Sequence, residues 1–555
     1  MIDVSHTGPW NYGDLFDGLA GIVPPELPAL VHGDRVTSWG GMVARTNNLA
    51  RALIADGAQP GEKIALYLRN HPAYLEGAIA GFKARQVHVN VNYRYAAEEV
   101  RYILDNSDAS TVVFAREFSP LIDEVAGRLP GVRRWLAVDD ASGVQAPAFA
   151  LNFDAIAQSG DGMALGIERS PDDLFFIYTG GTTGMPKGVM WRQDALRRAL
   201  FNPALVARVP QDLADHLAIV RETLATTGRG PVNLPACPLM HGTGLLTAMS
   251  ALVAGGTVVT LGSAHFDADE LWDAVERHRV EQVVIVGDAF AKPMVRALES
   301  RRRDLTCLLS IVSSGTMWST EVKLALLSHL PQATLLDSFG ASEAVGFGLS
   351  VMTAGGAVQT AKFQLGDDVK VFSPHDREVA RDGGEVGVIA RCGAIPEGYY
   401  KDAAKTEATF RTIGGVRWSI PGDFCTVETD GTITLLGRGS ICINTAGEKV
   451  FPEEVEEVLK QHPDIEDALV VGLPDEKWGQ AVTGVVTLRP GAALDEEALR
   501  ALVRRQLAGY KTPKRVVACD RAFRAPNGKA DYKGAREHAA RALAADSSPG
   551  NCPRA

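Results

Sequence analysis

The sequence predicts an α/β protein with a large N-terminal domain of parallel-rich α/β sheets and a β-rich subdomain, followed by a small α+β C-terminal domain. Between residues 31 and 312, short apolar runs alternate with segments of helical length, which is typical of parallel sheets covered by helices on both faces. The chain has 555 residues, more than one hydrophobic core supports. A compact β-α-β-β-α-β pattern begins after Gly437, so we expect domains at 1–437 and 438–555.

The alternation begins at Val31, and the residues before it show no regular pattern. Ser38 is a suitable N-cap for a helix over 39–56, which Gly57 and the Pro60-Gly61 turn would end. The pattern further predicts helices at 74–84, 98–106, 194–205, 244–254, 269–278 and 293–299, and strands at 64–68, 87–91, 111–114, 174–178, 257–261, 282–286 and 308–312.

Strands separated by glycine and aspartate turns indicate the β-rich subdomain, and the C-terminal domain begins where small residues flank Arg438. The final residues are expected to fray. The predicted elements are strands at 370–372, 386–391 and 432–436 in the subdomain, and strands at 441–444, 465–472, 481–488 and 515–518 with helices at 453–462 and 496–507 in the C-terminal domain.

Composition excludes several classes of protein. With 46% hydrophobic and 22% charged residues the chain is typical of soluble globular proteins, and a net charge of -11 argues against a general nucleic-acid binder. The seven cysteines are scattered without paired metal spacing, which favours a reducing cytoplasm over a disulfide framework. No signal peptide is visible, and glycines and prolines break the charge-free stretch 232–266 into pieces too short to cross a membrane. We therefore expect a cytoplasmic protein without a transmembrane segment, whose partners are small molecules.

The stretch 174–191 predicts a buried apolar strand that opens into a loop suited to an anion. Its glycines let backbone N–H groups approach a ligand, its threonines add hydroxyl donors, and Lys187 adds a positive charge. The P-loop of nucleotide hydrolases requires Gly-Lys followed directly by Ser or Thr, whereas Pro186 precedes Lys187 here and Gly188 follows it. Phosphate is the expected ligand of this loop. The alternative is that the loop is an ordinary Gly/Thr-rich turn without a ligand. The residues predicted to bind it are Thr179, Gly180, Gly181, Thr182, Thr183, Gly184 and Lys187.

Five further stretches, taken with this loop, match the core motifs of the adenylate-forming enzymes in order and spacing. The chain resembles the acyl-CoA synthetases of that superfamily from roughly residue 30 to residue 535. The amino-acid sequences of the loop and of the segment 437–449 are similar to those of actinobacterial synthetases that activate fatty acids or steroid side-chain carboxylates. The five stretches are Ser313-Ser314-Gly315-Thr316, Asp337-Ser338-Phe339-Gly340-Ala341-Ser342-Glu343, Trp418-Ser419-Ile420-Pro421-Gly422-Asp423, Gly437-Arg438 and Asn527-Gly528-Lys529.

The resemblance implies a nucleotide site built from the first two of these stretches. In the family, the position of Phe339 stacks on adenine, that of Asp337 accepts from the adenine amino group, and that of Ser342 lies near the α-phosphate. From the residues alone, a core aromatic beside a strand-end acid explains Phe339 and Asp337 equally well. The other residues assigned to the nucleotide are Ser314, Gly315, Thr316, Ser338 and Gly340.

Two carboxylates are assigned to the metal and to the ribose. Glu343 lies in a Gly-Ala-Ser-Glu turn, where a carboxylate can hold Mg2+ against phosphate oxygens. An exposed loop acid is the alternative. Asp423 follows Pro421-Gly422 and is placed to accept two ribose hydroxyls, with Arg438 beside it. A turn-forming aspartate and a surface arginine are the alternatives for these two residues.

Two further residues are assigned to catalysis together with Glu343. His241 stands at the start of a helix of small residues, and in relatives this position faces the acyl carboxylate and the adenylate; a satisfied core histidine is the alternative. Lys529 lies on a turn far from the phosphate loop in sequence, so the resemblance implies a mobile C-terminal domain that swings its ammonium to the reacting carboxylate. Trp191 and Met240 are candidates for the wall of an acyl pocket, or for core packing.

The resemblance also implies a second use of the C-terminal domain. In the family this domain pivots near 439–440 and presents its opposite face to CoA. In this chain that face includes Gly447 and Lys449. The family usually carries Asp or Lys at the hinge position, where this chain has Ser440.

The reaction implied is attack of a carboxylate on ATP to give acyl-AMP and pyrophosphate, after which CoA takes the acyl group. ATP, Mg2+, CoA and a hydrophobic carboxylic acid are the expected ligands, and a homodimer is expected because many relatives form one. An acyl-AMP ligase that loads a separate carrier protein and a non-catalytic nucleotide-binding relative are the alternatives. No carrier domain with its attachment site follows in this chain, which disfavours the first. Glu343, Asp423 and Lys529 are all present, which disfavours the second.

Overall fold

The computed structural model of the chain describes residues 10–179, 185–201, 208–316, 318–356, 362–382, 384–438, 442–445, 448–475, 479–507, 509–524 and 530–546. Packing divides the chain into two compact units, Met1–Thr360 with Arg391–Ile420, and Ala361–Ala390 with Pro421–Ala555. The domain boundary expected at residue 437 stays a prediction.

The helices are numbered along the chain. They are α1 (Tyr12–Ala20), α2 (Trp39–Ala55), α3 (Pro72–Lys83), α4 (Ala97–Asn106), α5 (Ser119–Ala126), α6 (Phe153–Gln158), α7 (Gln193–Leu200), α8 (Leu213–Thr227), α9 (Gly242–Val253), α10 (Ala268–His278), α11 (Asp288–Ser300), α12 (Thr320–His329), α13 (Ala403–Thr409), α14 (Pro452–Lys460), α15 (Glu496–Gln506) and α16 (Tyr532–Asp546).

The strands follow the same convention. They are β1 (Pro28–His32), β2 (Arg35–Ser38), β3 (Lys63–Tyr67), β4 (Val87–Asn90), β5 (Ala109–Ala115), β6 (Arg134–Val138), β7 (Leu151–Asn152), β8 (Leu174–Thr179), β9 (Lys187–Arg192), β10 (Val232–Pro235), β11 (Thr257–Thr260), β12 (Gln282–Ile285), β13 (Ser310–Ser314), β14 (Thr334–Ala341), β15 (Ala344–Met352), β16 (Lys362–Leu365), β17 (Val369–Phe372), β18 (Gly387–Arg391), β19 (Gly398–Tyr399), β20 (Phe410–Ile413), β21 (Val416–Ser419), β22 (Asp423–Val427), β23 (Thr432–Arg438), β24 (Ile443–Thr445), β25 (Glu448–Val450), β26 (Ile465–Asp475), β27 (Gly479–Leu488) and β28 (Arg515–Cys519).

The first unit contains an all-parallel five-stranded sheet in the order β4-β3-β5-β6-β7. Successive residues of β3 enter two different apolar cores: Ile64 and Leu66 pack into one, and Ala65 and Tyr67 into the other. A strand buried on both faces is what a parallel sheet covered by helices requires. The prediction of parallel sheets covered on both faces is therefore confirmed for this part of the chain.

A larger sheet in the same unit brings the nucleotide motifs together. Its strands run in the order β2-β1-β11-β10-β12-β13-β14-β15, and β1, β11, β10, β12, β13 and β14 are parallel. The carboxyl ends of β13 and β14 meet at one edge, where Ser314 pairs with Ser338. Open α/β sheets bind ligands at this kind of edge.

The second unit contains two sheets. One has the order β16-β23-β22-β18, with β17 beside β18, and corresponds to the predicted β-rich subdomain. The other has the order β25-β24-β27-β26, with β28 parallel to β27. The predicted β-α-β-β-α-β order of the C-terminal domain is confirmed, and the structure adds the hairpin partner β25 and the terminal helix α16.

The N-terminal segment was predicted to be irregular, and this prediction is wrong. Helix α1 forms there because Asn11 caps it, its side chain accepting the backbone N–H of Asp14 at 2.8 Å. Strand β1 then begins at Pro28 and lies parallel to β11.

Two predicted helices have different limits in the structure. The helix expected at 293–299 begins earlier, at Asp288, and holds Pro293 in its interior rather than at its first turn. The helix expected at 194–205 is α7, which ends at Leu200, and residues 202–207 lie outside the described part of the chain.

A buried carboxyl group in the second unit gives the fold a pH dependence. Burial raises the pKa of Glu456, and the cations of Lys460 and Arg524 oppose this rise. Its Oε1 accepts the backbone N–H of Val470 at 2.9 Å, and Tyr532 donates a hydrogen bond to the same carboxyl group. The folded protein therefore keeps a proton on Glu456 at pH values where the unfolded chain loses it.

We expect the Glu456 carboxyl group to stabilise the fold at about pH 5 and to lose this contribution by about pH 8. Because the folded pKa is raised above the unfolded value near 4.5, the folded state binds more protons within this interval and loses its advantage as the pH increases. Thermal melts of the parent and of Glu456→Gln, which cannot ionise, are compared at both pH values, because other groups also titrate in this interval. The midpoint of the parent minus that of the variant should decrease from pH 5 to pH 8, and an unchanged difference would contradict the assignment.

Candidate active site

The predicted phosphate loop connects two antiparallel strands. Strands β8 and β9 pair along their whole length, so that Thr179 lies opposite Lys187. The loop therefore leads into a strand, whereas the loop of P-loop hydrolases leads into a helix. The loop residues Gly180, Gly181, Thr182, Thr183 and Gly184 lie outside the described residues.

Lys187 is paired with a carboxylate in this structure. Its Nζ forms an ion pair with Asp402, the N-cap of α13, whose Oδ1 also accepts the backbone N–H of Lys405 at 2.9 Å. The hydrogen bond from Lys187 is the main reason why the pKa of Asp402 is lowered. The Lys187 side chain is 36% exposed, so an incoming phosphate could compete for it.

His241 is the N-cap of α9, as the sequence predicted for the start of this helix. A Cβ atom on Gly244 would lie 2.5 Å from the carbonyl oxygen of Pro238, so only glycine fits this first turn. Thr243 in the same turn lies near Gly315, with its Oγ1 4.0 Å from the position of a Cβ on that glycine. The turn after His241 therefore lies beside the Ser314-Gly315-Thr316 stretch.

Asp337 is buried and forms an ion pair. Its Oδ2 accepts a hydrogen bond from Lys323 Nζ at 2.8 Å, and both side chains are almost fully buried. Burial raises the pKa of Asp337, and the Lys323 ammonium opposes that shift. The structure thus supplies an internal partner for a carboxylate that sequence reasoning assigned either to adenine or to the core. Its role toward adenine stays a prediction.

Phe339 lies on the hairpin of β14 and β15. Its ring stacks on that of Phe347, with centroids 5.3 Å apart and an interplanar angle of 28°. Gly340 follows at a point where the two strands approach closely, since a Cβ there would lie 3.0 Å from the nitrogen of Gly346. The hairpin ends in a turn formed by Ser342 and Glu343, because Ala341 pairs with Ala344.

Three side chains from three other strands hold the Ser342-Glu343 turn. Trp191 Nε1 donates to the carbonyl oxygen of Ser342 at 2.9 Å, and Ser419 Oγ donates to that of Glu343 at 2.6 Å. Tyr399 donates its hydroxyl to Glu343 Oε1, also at 2.6 Å. The Glu343 carboxylate therefore has a fixed direction. Trp191 and Met240 are both buried in the main apolar core, and their role as a wall of an acyl pocket stays a prediction.

Glu343 fits the metal expected from the sequence. Its Oε1 is held by Tyr399, and no described residue donates a hydrogen bond to Oε2. Mg2+ commonly takes one or two protein carboxylates and completes its shell with phosphate oxygens and water, so this single carboxylate with a nucleotide would suffice. Within the described ranges, no group of three or more His, Cys, Asp or Glu side chains could hold a metal ion without the nucleotide.

The two ribose candidates lie opposite each other in the second unit. Asp423 opens β22 and pairs with Arg438, the last residue of β23. Asp423 is buried, with 5% of its surface exposed. The structure thus brings these two residues together, as the resemblance implied, while their contact with ribose stays a prediction.

Only some of the residues predicted to act in the mobile C-terminal domain belong to the described part of the chain. Lys449 lies in the hairpin of β24 and β25, opposite Asn444. Gly447, Ser440 and Lys529 lie outside the described residues. The segment that carries Lys529 is bounded by Arg524 and Ala530, which pair across an antiparallel bridge.

Sequence reasoning missed the residues that orient Glu343. Ser419 lies inside a recognised motif but was given no role, and Tyr399 belongs to no motif that was singled out. Tyr399 is 56 residues away from Glu343 along the chain, and Ser419 is 76 residues away. No local pattern predicts such contacts, so only the folded structure identifies them.

Two family profiles match this chain. The profile of the AMP-binding enzyme family matches residues 22–400, and that of the AMP-binding enzyme C-terminal domain matches residues 454–529.

No helix in the described part of the chain is long and apolar enough to span a membrane.

Two CoA ligases are among the relatives that match over nearly the whole chain. A 3-oxocholest-4-en-26-oate--CoA ligase of Rhodococcus rhodochrous is 38% identical over 538 residues, which cover 95% of each chain. A medium/long-chain-fatty-acid--CoA/3-oxocholest-4-en-26-oate--CoA ligase of Mycobacterium tuberculosis is 39% identical over 531 residues, covering 95% of this chain and 96% of the relative.

Solved structures confirm the fold. The anthranilate CoA ligase AuaEII in complex with anthranoyl-AMP superposes with a TM-score of 0.81 at 20% identity, covering 97% of this chain and 98% of that one. ATP-bound MatB from Rhodopseudomonas palustris superposes with a TM-score of 0.78 at 23% identity, covering 95% and 99%. The predicted α/β class, with a large N-terminal part and a small C-terminal part, is therefore confirmed.

Proposed function

The chain belongs to the AMP-binding enzyme family, and from this premise we propose that it is an ATP-dependent acyl-CoA synthetase for a hydrophobic carboxylic acid. The proposed acids are fatty acids or steroid side-chain carboxylates. The observation that carries the proposal is the identity of 38% and 39%, over 95% of this chain, with ligases named for such acids.

In the proposed first half-reaction, the carboxylate oxygen attacks the α-phosphorus of ATP and pyrophosphate leaves. This step is needed because a free carboxylate would have to expel oxide, whereas an acyl-adenylate expels AMP. Catalysis of such a displacement depends mainly on positioning and electrostatics. We assign neutralisation of the leaving pyrophosphate to the β8–β9 loop and to Lys187, which would exchange Asp402 for phosphate.

The acyl side of the reaction is assigned to His241 and Lys529. His241 lies at the N-terminus of α9, where the helix dipole favours a carboxylate. Lys529 would hold the attacking carboxylate in line with the α-phosphorus and offset the charge that develops there. Bound at Glu343, Mg2+ would neutralise charge on the phosphate oxygens. Tyr399 fixes Glu343 Oε1, which leaves Oε2 for the metal.

The nucleoside is assigned to residues at the ends of neighbouring strands. Phe339 would stack on adenine, and Asp337 would accept from its amino group with the oxygen that Lys323 does not use. Asp423 and Arg438, which pair across β22 and β23, would bind the ribose hydroxyls.

In the proposed second half-reaction, the thiolate of CoA attacks the acyl carbon and AMP leaves with the oxygen that came from the carboxylate. The C-terminal part would pivot near Ser440 so that Gly447 and Lys449 face the incoming thiol. Lys529 would leave the site in the same movement. A separate face of the small domain would thus serve each half-reaction.

A panel of steroid, long-chain and medium-chain acids tests the proposal. Each acid is mixed with protein, ATP and Mg2+, and the release of pyrophosphate and the formation of acyl-CoA are followed with CoA or with a holo-carrier protein. We expect both products with CoA for at least one hydrophobic acid. Transfer to the carrier alone would support an acyl-AMP ligase, and ATP binding without release of pyrophosphate for any acid would support a non-catalytic nucleotide-binding relative.

We also propose that the enzyme acts in the cytoplasm as a homodimer. The described cysteines, Cys237, Cys307, Cys392, Cys425, Cys442 and Cys519, are all free thiols, which suits a reducing compartment. Light scattering of the purified protein tests the dimer, because a monomer mass near 59.3 kDa would contradict it.

A further inference from the structure

An asparagine at the end of the first parallel sheet holds the segment that leads to His241. Asn70 Nδ2 donates to the carbonyl oxygens of Pro235 and Cys237, both at 3.0 Å. Its Oδ1 accepts the backbone N–H of Leu239 at 2.7 Å. One amide side chain thus binds three backbone groups of the segment 235–239, just before α9.

A second asparagine holds the same segment and, in addition, the strand that leads into the phosphate loop. Asn90 Nδ2 donates to the carbonyl oxygens of Met240 and Tyr178, each at 2.8 Å, and its Oδ1 accepts the backbone N–H of Tyr178 at 2.7 Å. Asn90 is 6% exposed, so water does not compete for these bonds. The amide therefore links the residue before His241 to the residue before Thr179.

We propose that Asn90 is a positioning residue for adenylate formation, which sets the distance between the acyl-carboxylate site at His241 and the phosphate site that begins at Thr179. The inference rests on the proposed function and deepens it. The Asn90 amide joins the two backbone segments directly, because its Nδ2 donates to a carbonyl oxygen in each of them. The backbone N–H of Tyr93 donates to Met240 Sδ at 3.3 Å, which adds a second tie on the acyl side only.

The two half-reactions depend on this distance to different degrees. Adenylation must bring two separate substrates into contact, and a misplacement of about 1 Å can lower such a rate about 100-fold. In the transfer step the acyl group and AMP are already joined by a covalent bond, so the protein no longer sets their separation. Loss of Asn90 should therefore affect the first step selectively.

Asn90→Ala tests this inference. Single-turnover formation of acyl-AMP from ATP and acid, and transfer from supplied acyl-AMP to CoA, are measured on the same preparation. We expect adenylation to fall about 10- to 100-fold, while transfer stays within about threefold of the parent. The ratio of the two rates does not depend on the folded fraction. Asn90→Asp, which keeps the acceptor for Tyr178 and loses both donors, is the second variant where alanine prevents folding.

Asn70→Ala is the matched control, because it removes three hydrogen bonds from the same segment and none from β8. We expect its ratio of adenylation to transfer to change at least about threefold less than that of Asn90→Ala. An equal change in both variants, an unchanged adenylation rate in Asn90→Ala, or an equal loss of both half-reactions would overturn the inference. A parent protein that forms no acyl-AMP would instead contradict the proposed function.

Discussion

Lys529→Ala is expected to lower the rate of acyl-AMP formation by about 10²- to 10³-fold and to leave transfer from supplied acyl-AMP to CoA close to that of the parent. An ammonium about 4 Å from a developing oxyanion contributes about 4 kcal/mol at an effective dielectric near 20, and alanine removes all of it. Transfer is spared because the proposed pivot takes Lys529 out of the site before the thiol attacks. Pyrophosphate release measures the first step, and thioester formation measures the second.

Lys449→Ala is the matched control for Lys529→Ala. It removes the same charge from the same small domain, but from the face assigned to CoA. We expect the reverse pattern, in which transfer falls and pyrophosphate release is retained. If either lysine variant lost both half-reactions equally, the assignment of one face to each step would be wrong.

Glu343→Gln has the second largest expected effect, a loss of about 10²-fold or more in adenylation. Glutamine keeps the size of the side chain and its Oε1 can still accept the Tyr399 hydroxyl, so the change removes the charge with little change in shape. A neutral amide holds Mg2+ more weakly than a carboxylate, because hard cations prefer charged oxygen ligands. We therefore expect the Mg2+ concentration for half-maximal adenylation to rise at least about tenfold. An unchanged Mg2+ dependence would exclude Glu343 as the metal ligand.

Tyr399→Phe separates the direction of the carboxylate from its charge. The variant loses one hydrogen bond to a charged group, worth about 1.5–3 kcal/mol, and leaves the charge of Glu343 in place. We expect adenylation to fall about tenfold or more and the Mg2+ midpoint to move less than in Glu343→Gln. A larger effect on the Mg2+ midpoint than that of Glu343→Gln would show that Tyr399 itself binds the metal.

The sequence predicted well those helices and strands whose signal lies in a few neighbouring residues. Ser38 caps α2 as expected, because a short polar side chain before an apolar run satisfies the first free N–H groups of a helix. The strands predicted in the two parallel sheets are present, since a strand buried on both faces has a continuous apolar run, whereas strands β6, β7 and β10 and helices α5, α6, α8 and α12 were not predicted. Helix α1 carries the same kind of local signal, an N-cap at Asn11 before the buried Leu15, Phe16 and Leu19, and it was missed because it spans only nine residues.

The site was predictable to the extent that motifs carry it. The sequence assigned Asp423 and Arg438 together to the ribose, and the structure places them opposite each other on β22 and β23. It did not predict the ion pair of Asp337 with Lys323, the hydrogen bond from Tyr399 to Glu343, or the links that Asn90 makes. Each of these joins groups that are far apart along the chain, and their distances depend on packing that a local pattern does not contain.

The most direct test of the account is to follow the carboxylate oxygen. A hydrophobic acid labelled with ¹⁸O in its carboxylate is incubated with the protein, ATP, Mg2+ and CoA, and the products are analysed by mass spectrometry. Attack of the carboxylate on the α-phosphorus predicts AMP that carries one labelled oxygen, with unlabelled pyrophosphate. Labelled inorganic phosphate with ADP would indicate an acyl-phosphate route, and AMP without label would contradict the acyl-adenylate.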